Sequence, residues 1–277
     1  MPETASSTHR YHFISGLPRS GSTLLAAILN QNPRFSAGMS SPVAGLVHIL
    51  LHEMSGQNEF SMFIDNRQRA AILRGIVDHY YADNPAAVVL DTNRTWCGKL
   101  PLLSTLFPES KVIACVRELP WIIDSIERLV RKNAFEPSSI FNYQSGGTVY
   151  TRANGLAGPE GLVGYAYDTL KEAYYGEQAS GRLTLVQYES LVAQPEKTLK
   201  ALYAFLEEPQ YSHDLDRVRF DAEAYDHKAG TPGLHRIRPR IEAVERTTIL
   251  PPDLFQRFRG DAFWKDASLA RKEIPVL

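Results

Sequence analysis

The chain has 277 residues, of which 44% are hydrophobic, 22% charged and 10% aromatic. This balance is that of an ordinary globular protein with enough apolar side chains for a sizeable core, and it excludes disorder as the general state. The formal net charge of -1 excludes the basic surface that non-specific nucleic-acid binding requires. Any anionic ligand must therefore be held by local positive charge.

Targeting and metal-binding signals are missing from the sequence. No apolar run approaches the ~18 residues of a membrane span, and residues 1–10 lack the apolar centre of a signal peptide. We therefore expect a cytoplasmic protein with no membrane span. The two cysteines, Cys97 and Cys115, lack metal-ligand spacing and are expected to be buried, reduced thiols.

Short β-type runs alternate along the chain with longer stretches whose apolar residues recur at three- and four-residue spacing. The predicted strands are Tyr11–Ser15, Val88–Asp91, Lys111–Val116 and Leu183–Gln187. The predicted helices are Ser22–Asn30, Arg67–Tyr81, Trp96–Leu106, Pro120–Arg131, Glu160–Ala179 and Glu196–Leu206. This alternation predicts an α/β, P-loop-like fold of three layers, in which helices flank a central, mostly parallel sheet.

The chain is predicted to form one domain. No repeat or low-complexity linker divides it, so the domain is expected to cover residues 11–277 after a flexible segment at residues 1–10. Two stretches fit the alternation poorly: Asn133–Gly158, rich in Ser, Gly, Asn and Tyr, and Asp221–Arg246, which contains an Arg cluster. Long irregular segments in compact domains are usually binding loops, so both stretches are candidate lids over a substrate site.

The most informative segment follows the first strand. An apolar run ends at Gly16 and continues into Pro18-Arg19-Ser20-Gly21-Ser22-Thr23 and an apolar helix. Glycines let a backbone turn tightly around a ligand, and the first amides of a helix point at an anion with the positive end of the helix dipole behind them. Arg19 adds a full charge, and three hydroxyl groups add donors. We interpret the segment as a phosphate-binding loop; the alternative is a connection whose hydroxyls only cap the helix.

This loop differs from that of Mg²⁺-dependent phosphoryl transferases. It is not a Walker A motif, because the Gly-x-x-x-x-Gly-Lys-Ser/Thr spacing is missing. The strand Lys111–Val116 ends in Arg117, where a Walker B strand would carry Asp. A kinase is therefore the less favoured interpretation.

A second cation follows another apolar strand. Val112–Val116 runs directly into Arg117, and Ser125 stands eight positions later on the next predicted helix. An Arg at the carboxyl end of a strand and a Ser on the following helix can jointly bind a phosphate. The alternative is an Arg in a surface ion pair and a Ser that faces solvent.

Together the two motifs resemble those of the sulfotransferase superfamily, which uses 3′-phosphoadenosine 5′-phosphosulfate (PAPS) as sulfuryl donor and releases the bisphosphate PAP. In that superfamily the first loop holds the 5′-phosphosulfate, and an Arg with a Ser eight residues later holds the 3′-phosphate. The resemblance therefore implies 5′-phosphosulfate binding by Pro18, Arg19, Ser20, Gly21, Ser22 and Thr23. It implies 3′-phosphate binding by Arg117 and Ser125, and no metal.

A third block extends the resemblance. Val186-Gln187-Tyr188-Glu189-Ser190-Leu191-Val192 is similar to the superfamily's Tyr-Glu segment near the adenine, which implies a donor contact for Tyr188. The alternative is a Tyr that packs on the following helix. The residues around Arg19, Phe107-Pro108 and Tyr188 most closely resemble tyrosylprotein sulfotransferases and their bacterial relatives, and the resemblance extends from Phe13 to about Phe258.

Sulfuryl transfer requires cations beside the charge that develops on the SO₃ oxygens, and a base for the acceptor proton. Arg19 fits the cation role. In the resembling family a Lys or Arg after the next strand shares that role, and Arg94, in Asp91-Thr92-Asn93-Arg94-Thr95, falls near the corresponding place. The alternative for Arg94 is a surface residue at the end of a loop.

The base is where this chain departs from the family. Tyrosylprotein sulfotransferases carry a Glu soon after the first helix, and Ser40 stands in that place here. A serine cannot replace a carboxylate as base. The nearest downstream ionisable groups, His48, His52 and Glu53, fit an ordinary amphipathic helix.

Two other residues are candidates for the proton chemistry. Asp91, at the carboxyl end of its strand, is the carboxylate best placed by topology, and its alternative role is to orient Arg94 or cap the next helix. His235 aligns loosely with a segment that reaches the phosphosulfate in tyrosylprotein members. It could donate to the leaving phosphate or, alternatively, be held by a backbone carbonyl.

We therefore predict a sulfotransferase that moves a sulfuryl group from PAPS to a hydroxyl acceptor by in-line displacement. A tyrosyl peptide, a phenol, a sugar hydroxyl and a lipid are all compatible acceptors, and a homodimer is left open as the assembly. Basic residues in Leu234–Arg240 indicate an acidic acceptor or further donor contacts. Two alternatives stay open: a P-loop nucleotide or small-molecule kinase, and a non-catalytic nucleotide-binding module that has lost its base.

Overall fold

The computed structural model describes residues 9–56, 59–135 and 147–277. Its strands are β1 Arg10–Gly16, β2 Phe35–Ala37, β3 Val88–Thr92, β4 Val112–Val116 and β5 Leu183–Gln187. They form one parallel sheet in the order β2-β3-β1-β4-β5. The prediction of an α/β fold with a parallel central sheet is confirmed.

Helices connect the strands and cover both faces of the sheet. The α-helices are α1 Ser22–Leu29, α2 Val43–Glu53, α3 Asn66–Tyr80, α4 Leu100–Leu106, α5 Leu119–Lys132, α6 Val149–Ala157, α7 Leu162–Tyr175, α8 Tyr188–Ala193, α9 Pro195–Leu206, α10 Glu223–Lys228 and α11 Pro252–Arg257. Short 3₁₀ helices occupy Glu59–Phe63, Arg94–Lys99, Glu177–Ala179 and Phe263–Lys265.

The sheet separates two hydrophobic cores. Successive residues of β1 point to opposite faces, so Phe13 packs into the core shared with α2 to α7 and Ile14 into the core shared with α1 and α9. Both side chains are completely buried. Because the central strands are covered on both faces, β4 appears in the sequence as a continuous apolar run, whereas β1 also carries the buried His12.

Residues 275–277 run along the outer side of β5. Backbone hydrogen bonds of 2.8–2.9 Å join Leu185 to Pro275 and Leu277, and Gln187 to Leu277. These bonds pair backbone groups that an edge strand would otherwise leave exposed.

All four predicted strands are present within one residue of their predicted bounds. β2 is missing from the prediction because three residues are too few for an alternation to be recognised. The helix predicted from Trp96 begins instead at Leu100 after a 3₁₀ turn. Pro101 stands in its first turn, where the missing N–H of proline is tolerated.

Two other boundaries differ from prediction. The helix predicted over Glu160–Ala179 ends at Tyr175, because Gly176 is extended at φ -71° and ψ 154°. The stretch predicted to be irregular over Asn133–Gly158 contains α6, whose N-cap Thr148 accepts a hydrogen bond from the N–H of Thr151. Residues 136–146 of that stretch lie outside the described residues, as do residues 1–8 of the segment predicted to be flexible.

The remaining features concern membranes and thiols. Within the described ranges, no helix has the length and apolar character needed to cross a membrane. Cys97 and Cys115 are buried free thiols, as predicted. Burial raises the pKa of Cys97 to about 11 and that of Cys115 to about 12, so neither is a reactive thiolate at neutral pH.

The strand order determines where a ligand can bind. β1 lies between β3 and β4, and the chain leaves it towards β2 on one side and later returns to β4 on the other. In open parallel sheets a crevice forms outside the carboxyl ends of the strands at such a point. The loop after β1 and Arg117 after β4 therefore meet at one edge.

His12 is a buried titratable group in the middle of β1. Its Nδ1 accepts a hydrogen bond of 3.1 Å from the backbone N–H of Lys111. Burial, followed by the charges of Arg10 and Lys111, lowers the pKa of His12 to about 3. The folded chain therefore keeps the ring neutral at pH values where the unfolded chain protonates it.

We expect His12→Asn to make folding less sensitive to acid. Between pH 6.5 and about 3 the unfolded chain binds a proton that folded His12 does not. Stability therefore falls as the pH falls, by at most about 1.4 kcal/mol per pH unit for this group. Asn keeps an acceptor near the position of Nδ1 and does not titrate, so the pH dependence of the unfolding free energy, measured with urea, should flatten. His48→Asn is the control at an exposed position; an unchanged slope for His12→Asn would contradict the expectation.

Candidate active site

A large cavity opens at the carboxyl edge of the sheet. Its floor consists of the ends of β1 and β3 and the loop after β1, and its walls come from α5 to α8 and from residues 229–246. The cavity brings together the following predicted site residues: Pro18, Arg19, Gly21, Ser22, Thr23, Arg94, Arg117, Ser125, Tyr188 and His235. Ser20 and Asp91 are not among its lining residues.

Residues 16–21 form a tight turn against the end of β4. Gly16 at φ 99°, Arg19 at φ 58° and Gly21 at φ 94° have left-handed backbones. The N–H of Leu17 and the hydroxyl of buried Ser20 each lie 2.8 Å from the carbonyl oxygen of Cys115, which accepts from both. The Ser20 side chain therefore shapes the loop from behind.

Within the described part of the chain, the start of α1 has no side-chain cap. Gly21 is the N-cap, no side chain caps this helix, and its first turn contains no acidic residue. Ser22 and Thr23 line the cavity at this end. Since no side chain caps the helix, the alternative in which the loop hydroxyls only cap it does not describe this structure. An uncapped N-terminus is suited to an anion.

Arg117, Ser125 and Tyr188 form a second cluster in the same cavity. Arg117 is 8% exposed, and its guanidinium carbon lies 4.3 Å from the centre of the Tyr188 ring. Its Nε is 3.7 Å from Oε1 of Glu189 and makes no hydrogen bond within the described part of the chain. Ser125 on α5 is 7% exposed. Neither residue has the solvent-facing position that the alternative interpretation requires.

Arg19 links the first loop to the second cluster. Its Nε donates to Oγ of Ser125 over 3.2 Å, and its Nη1 donates to the carbonyl oxygen of Leu234. Burial, followed by the charges of Arg117 and Arg246, lowers the pKa of Arg19 to about 10. The guanidinium therefore stays protonated at neutral pH, although it stands among like charges.

Arg246 is a cavity residue absent from the sequence predictions. After burial, its charge is one of the causes that lower the pKa values of Arg19 and Arg117. The chain beyond it is attached to α5, because Asp124 accepts hydrogen bonds of 2.9 Å from the Thr248 hydroxyl and 2.7 Å from the N–H of Ile249. The only sequence signal was the Arg cluster in Asp221–Arg246, which does not single out one arginine.

Arg94 lines the cavity on the side of β3. The residue is exposed at this position, as its alternative interpretation expected, and partial desolvation lowers the pKa of its guanidinium. Its carbonyl oxygen accepts a hydrogen bond of 2.9 Å from Oγ of Ser15, which joins the loop after β3 to β1. Arg94 and Arg19 thus contribute positive charge from two neighbouring strand ends.

Asp91 is positioned differently from the other candidates. Its side chain is buried, at 1% exposure. Oδ1 accepts a hydrogen bond of 2.6 Å from Nε1 of Trp96. Oδ2 accepts a hydrogen bond of 2.6 Å from the hydroxyl of Tyr81 and another from the hydroxyl of Ser41. Burial raises the pKa of the carboxyl group against the effect of these donors. Both oxygens are occupied away from the cavity, and the contacts position the segments before α2 and after β3.

His235 is held by a carboxylate in the cavity wall. Its Nδ1 lies 2.6 Å from Oδ1 of Asp226, and its backbone N–H donates to Oδ2 over 2.9 Å. Asp226 belongs to α10 and is 2% exposed. The expected alternative, a ring held by a backbone carbonyl, is replaced by this carboxylate pair. Nothing in the sequence spacing pointed to Asp226.

The remaining candidates for a base fall into two groups. Ser40 lines the cavity in the region where the family Glu was expected. His48, His52 and Glu53 lie on α2, as their amphipathic spacing predicted, and are not lining residues. Both candidate lid stretches contribute to the cavity within their described parts, through residues such as Arg152 and Arg236.

Comparison with known proteins agrees with these motifs. A model of the sulfotransferase family matches residues 12–213, more than half of the chain. Protein-tyrosine sulfotransferase 1 of Danio rerio is 28% identical over 210 residues, which cover 71% of this chain and 53% of that protein. Protein-tyrosine sulfotransferase 2 of Gallus gallus is 26% identical over 204 residues, which cover 70% of this chain and 50% of that protein. The chain thus spans about half the length of these relatives.

A solved structure resembles the fold over nearly its whole length. The sulfotransferase domain from the curacin biosynthetic pathway matches with a TM-score of 0.52 and 18% identity, covering 96% of this chain and 94% of that one. At this identity the likeness concerns the fold, and it agrees with the parallel sheet flanked by helices.

We expect Gly21→Ala to impair nucleotide binding by moving Tyr188. A Cβ at residue 21 would lie 2.8 Å from Cδ2 of Tyr188, whereas Gly181, at φ 67°, has open space around such an atom. Gly181→Ala therefore reproduces the backbone strain without the clash, and each variant should lose about 1–2 kcal/mol of stability from that strain.

Calorimetric titration with PAP separates the two effects. Gly21→Ala should weaken binding about tenfold or more, equivalent to about 1.4 kcal/mol, while Gly181→Ala should keep the wild-type affinity. Equal affinities for the two variants would contradict the assignment of this loop.

Proposed function

The chain belongs to the sulfotransferase family, as its motifs predicted, and we propose that it transfers a sulfuryl group from PAPS to a hydroxyl acceptor. The observation that carries this proposal is the meeting of two anion-binding arrangements in one cavity. An uncapped helix N-terminus with Arg19 forms the first, and Arg117 with Ser125 forms the second. One nucleotide with phosphates at its 5′ and 3′ positions suits such a pair.

The loop after β1 is proposed to bind the 5′-phosphosulfate. Pro18, Arg19, Gly21, Ser22 and Thr23 line the space, and the amides at the start of α1 are suited to the anion. Ser20 contributes by keeping the loop on the carbonyl oxygen of Cys115. Tyr188, which packs against Gly21 and under Arg117, is proposed to contact the nucleoside between the two phosphates.

Arg117 and Ser125 are proposed to bind the 3′-phosphate. The Nε of Arg117 is buried without a hydrogen-bond partner among the described residues, so an incoming phosphate oxygen can satisfy it. Arg246 lines the same cavity and adds its positive charge to those of Arg19 and Arg117. Like charges close together in one cavity disfavour one another, and a polyanion offsets that repulsion.

The proposed reaction is an in-line displacement at sulfur. A bond forms between the acceptor oxygen and sulfur, the bond from sulfur to the 5′-phosphate oxygen breaks, and its electron pair stays on PAP. Arg19 and Arg94 are placed to stabilise the charge on the SO₃ oxygens and the leaving phosphate. The names of the relatives make a tyrosyl hydroxyl the first acceptor to test.

Transfer is tested by following ³⁵S from labelled PAPS into a panel of acceptors comprising a tyrosyl peptide, a phenol, a sugar and a lipid alcohol. We expect a labelled sulfate ester and PAP in equal amounts, and a rate about 10²–10³-fold lower in Arg19→Met because a preorganised cation is lost. A chain that neither binds PAPS nor gains thermal protection from PAP would overturn the proposal.

Arg117→Ala should reveal which phosphate this arginine binds. We expect the affinity for PAP to fall by ~1.5–3 kcal/mol, the range for loss of a charge-assisted hydrogen bond. Adenosine 5′-phosphosulfate lacks the 3′-phosphate and should keep its affinity. Arg67→Ala removes an exposed arginine on α3 and serves as the matched control in the same calorimetric titrations. Equal losses for both nucleotides would show that Arg117 does not bind the 3′-phosphate.

A further inference from the structure

Transfer to a hydroxyl group needs a proton acceptor, and the expected carboxylate is absent. Ser40 stands at the cavity where the resembling enzymes carry Glu. Asp91, the carboxylate favoured by topology, is buried beneath the sheet edge with both oxygens hydrogen-bonded. The base must therefore come from elsewhere in the cavity wall.

Asp226 and His235 form a pair with the geometry of a base and its orienting carboxylate. The carboxylate accepts one bond from the ring, at 2.6 Å, and one from the backbone N–H of the same histidine, at 2.9 Å. Because an ionised carboxylate can only accept, the proton of the neutral ring resides on Nδ1. Nε2 is then left with a lone pair.

His235 is a lining residue of the cavity. The side chain is 16% exposed and lines the same space as Arg19 and Arg94. Among the residues that the structure describes, none forms a hydrogen bond with Nε2. A group without a protein partner at this position can accept a proton from a bound acceptor.

The pair is also attached to the proposed catalytic cation. The carbonyl oxygen of Leu234, one residue before His235, accepts a hydrogen bond from Nη1 of Arg19. Asp226 is one of the charges that act on Arg19, and the ring of Tyr225 meets His235 edge-on at 5.5 Å between centres. Asp226 and Tyr225 thus contact His235 itself, and Arg19 contacts the residue before it.

We infer that His235 is the general base of the reaction and that Asp226 is its positioning residue, an inference that rests on the proposed function. As the acceptor oxygen bonds to sulfur, its proton passes to Nε2 of His235, and the electron pair of the breaking sulfur–oxygen bond stays on PAP. Asp226 balances the imidazolium charge until the proton leaves to solvent. The leaving group is a phosphate that is stable as an anion, so the acceptor has the greater need of proton transfer.

Asp226 is suited to positioning because two separate bonds fix one histidine. The bond to the backbone N–H of residue 235 sets the path of the chain, and the bond to Nδ1 sets the tautomer and the plane of the ring. A further bond of 2.9 Å from the N–H of Thr231 to the carbonyl oxygen of Asp226 closes the turn between them. Asp226 is buried, so it acts through His235 and does not itself touch the acceptor.

If His235 removes the acceptor's proton, the loss of kcat in a His235 variant should depend on the acidity of the acceptor. 4-Nitrophenol is far more acidic than 4-methylphenol and is already partly ionised near neutral pH, so it needs little assistance in losing its proton, whereas 4-methylphenol remains protonated. We expect His235→Gln to lower kcat with 4-methylphenol by about 10²–10⁴-fold, the range for general base catalysis, with a much smaller loss for 4-nitrophenol. Hydrolysis of ³⁵S-labelled PAPS to sulfate, in which water is the acceptor, should fall in parallel with the 4-methylphenol rate.

Asp226→Asn should give the same pattern with an intact fold. An amide N–H in place of the carboxylate oxygen would donate to Nδ1, move the proton to Nε2 and remove the lone pair from the cavity. PAP affinity and thermal midpoints should stay near wild type in both variants. Imidazole added to His235→Gly should restore part of the rate, which a merely structural histidine would not show. His227→Gln and Glu223→Gln, exposed on α10, are the matched controls.

The outcomes distinguish a failure of the roles of His235 and Asp226 from a failure of the proposed function. Equal losses with both phenols, or no rescue by imidazole, would overturn the role of His235. If the rate of Asp226→Asn depended on the acidity of the phenol as the wild-type rate does, the role of Asp226 would be overturned. A wild-type chain that neither binds PAPS nor transfers the sulfuryl group to water or to any member of the acceptor panel would instead contradict the proposed function.

Discussion

The carbonyl oxygen of Cys115 is the contact on which the proposed donor site depends. It lies one residue before the end of β4 and accepts hydrogen bonds from Leu17 and Ser20, so it holds the loop after β1 in its turn. This turn orients α1 so that its uncapped N-terminus lies at the cavity. It also brings Arg19 within hydrogen-bond distance of Ser125 on α5. Hydrogen bonds from a loop to the neighbouring strand are thus the means by which the parallel sheet presents amides and cations at one edge. Any side chain at Gly16 would press on this carbonyl, which is why the position requires glycine.

Charge at this edge is concentrated rather than balanced. Arg19, Arg117 and Arg246 act on one another strongly enough that, after burial, each of the other two lowers the pKa of Arg19. Only partial compensation comes from Glu189, 3.7 Å from Arg117, and from Asp226. Such crowding costs stability in the free protein and favours binding of a polyanion, the trade-off expected of a site that stabilises developing negative charge. The overall net charge of -1 shows none of this, because acidic residues elsewhere offset the cavity.

Sequence patterns predicted the features that are local along the chain. Buried strands, the glycine turn before α1 and the spacing of Arg117 and Ser125 follow from short-range constraints, and the structure brings both motifs to one cavity. Features that depend on tertiary packing could not be predicted in this way. Asp91 ends the predicted strand as a cavity carboxylate would, yet its side chain accepts a hydrogen bond from the indole of Trp96 instead. The pairing of Asp226 with His235 depends on the path of an irregular segment, which has no periodic signal.

One nucleotide spanning both anion sites is the central claim, and a crystal structure of the chain with PAP tests it most directly. We expect the 5′-phosphate at the amides that begin α1 and the 3′-phosphate within hydrogen-bond distance of Arg117 and Ser125, with Tyr188 beside the nucleoside. A bisphosphate bound in the reverse direction, or outside the cavity, would contradict the claim.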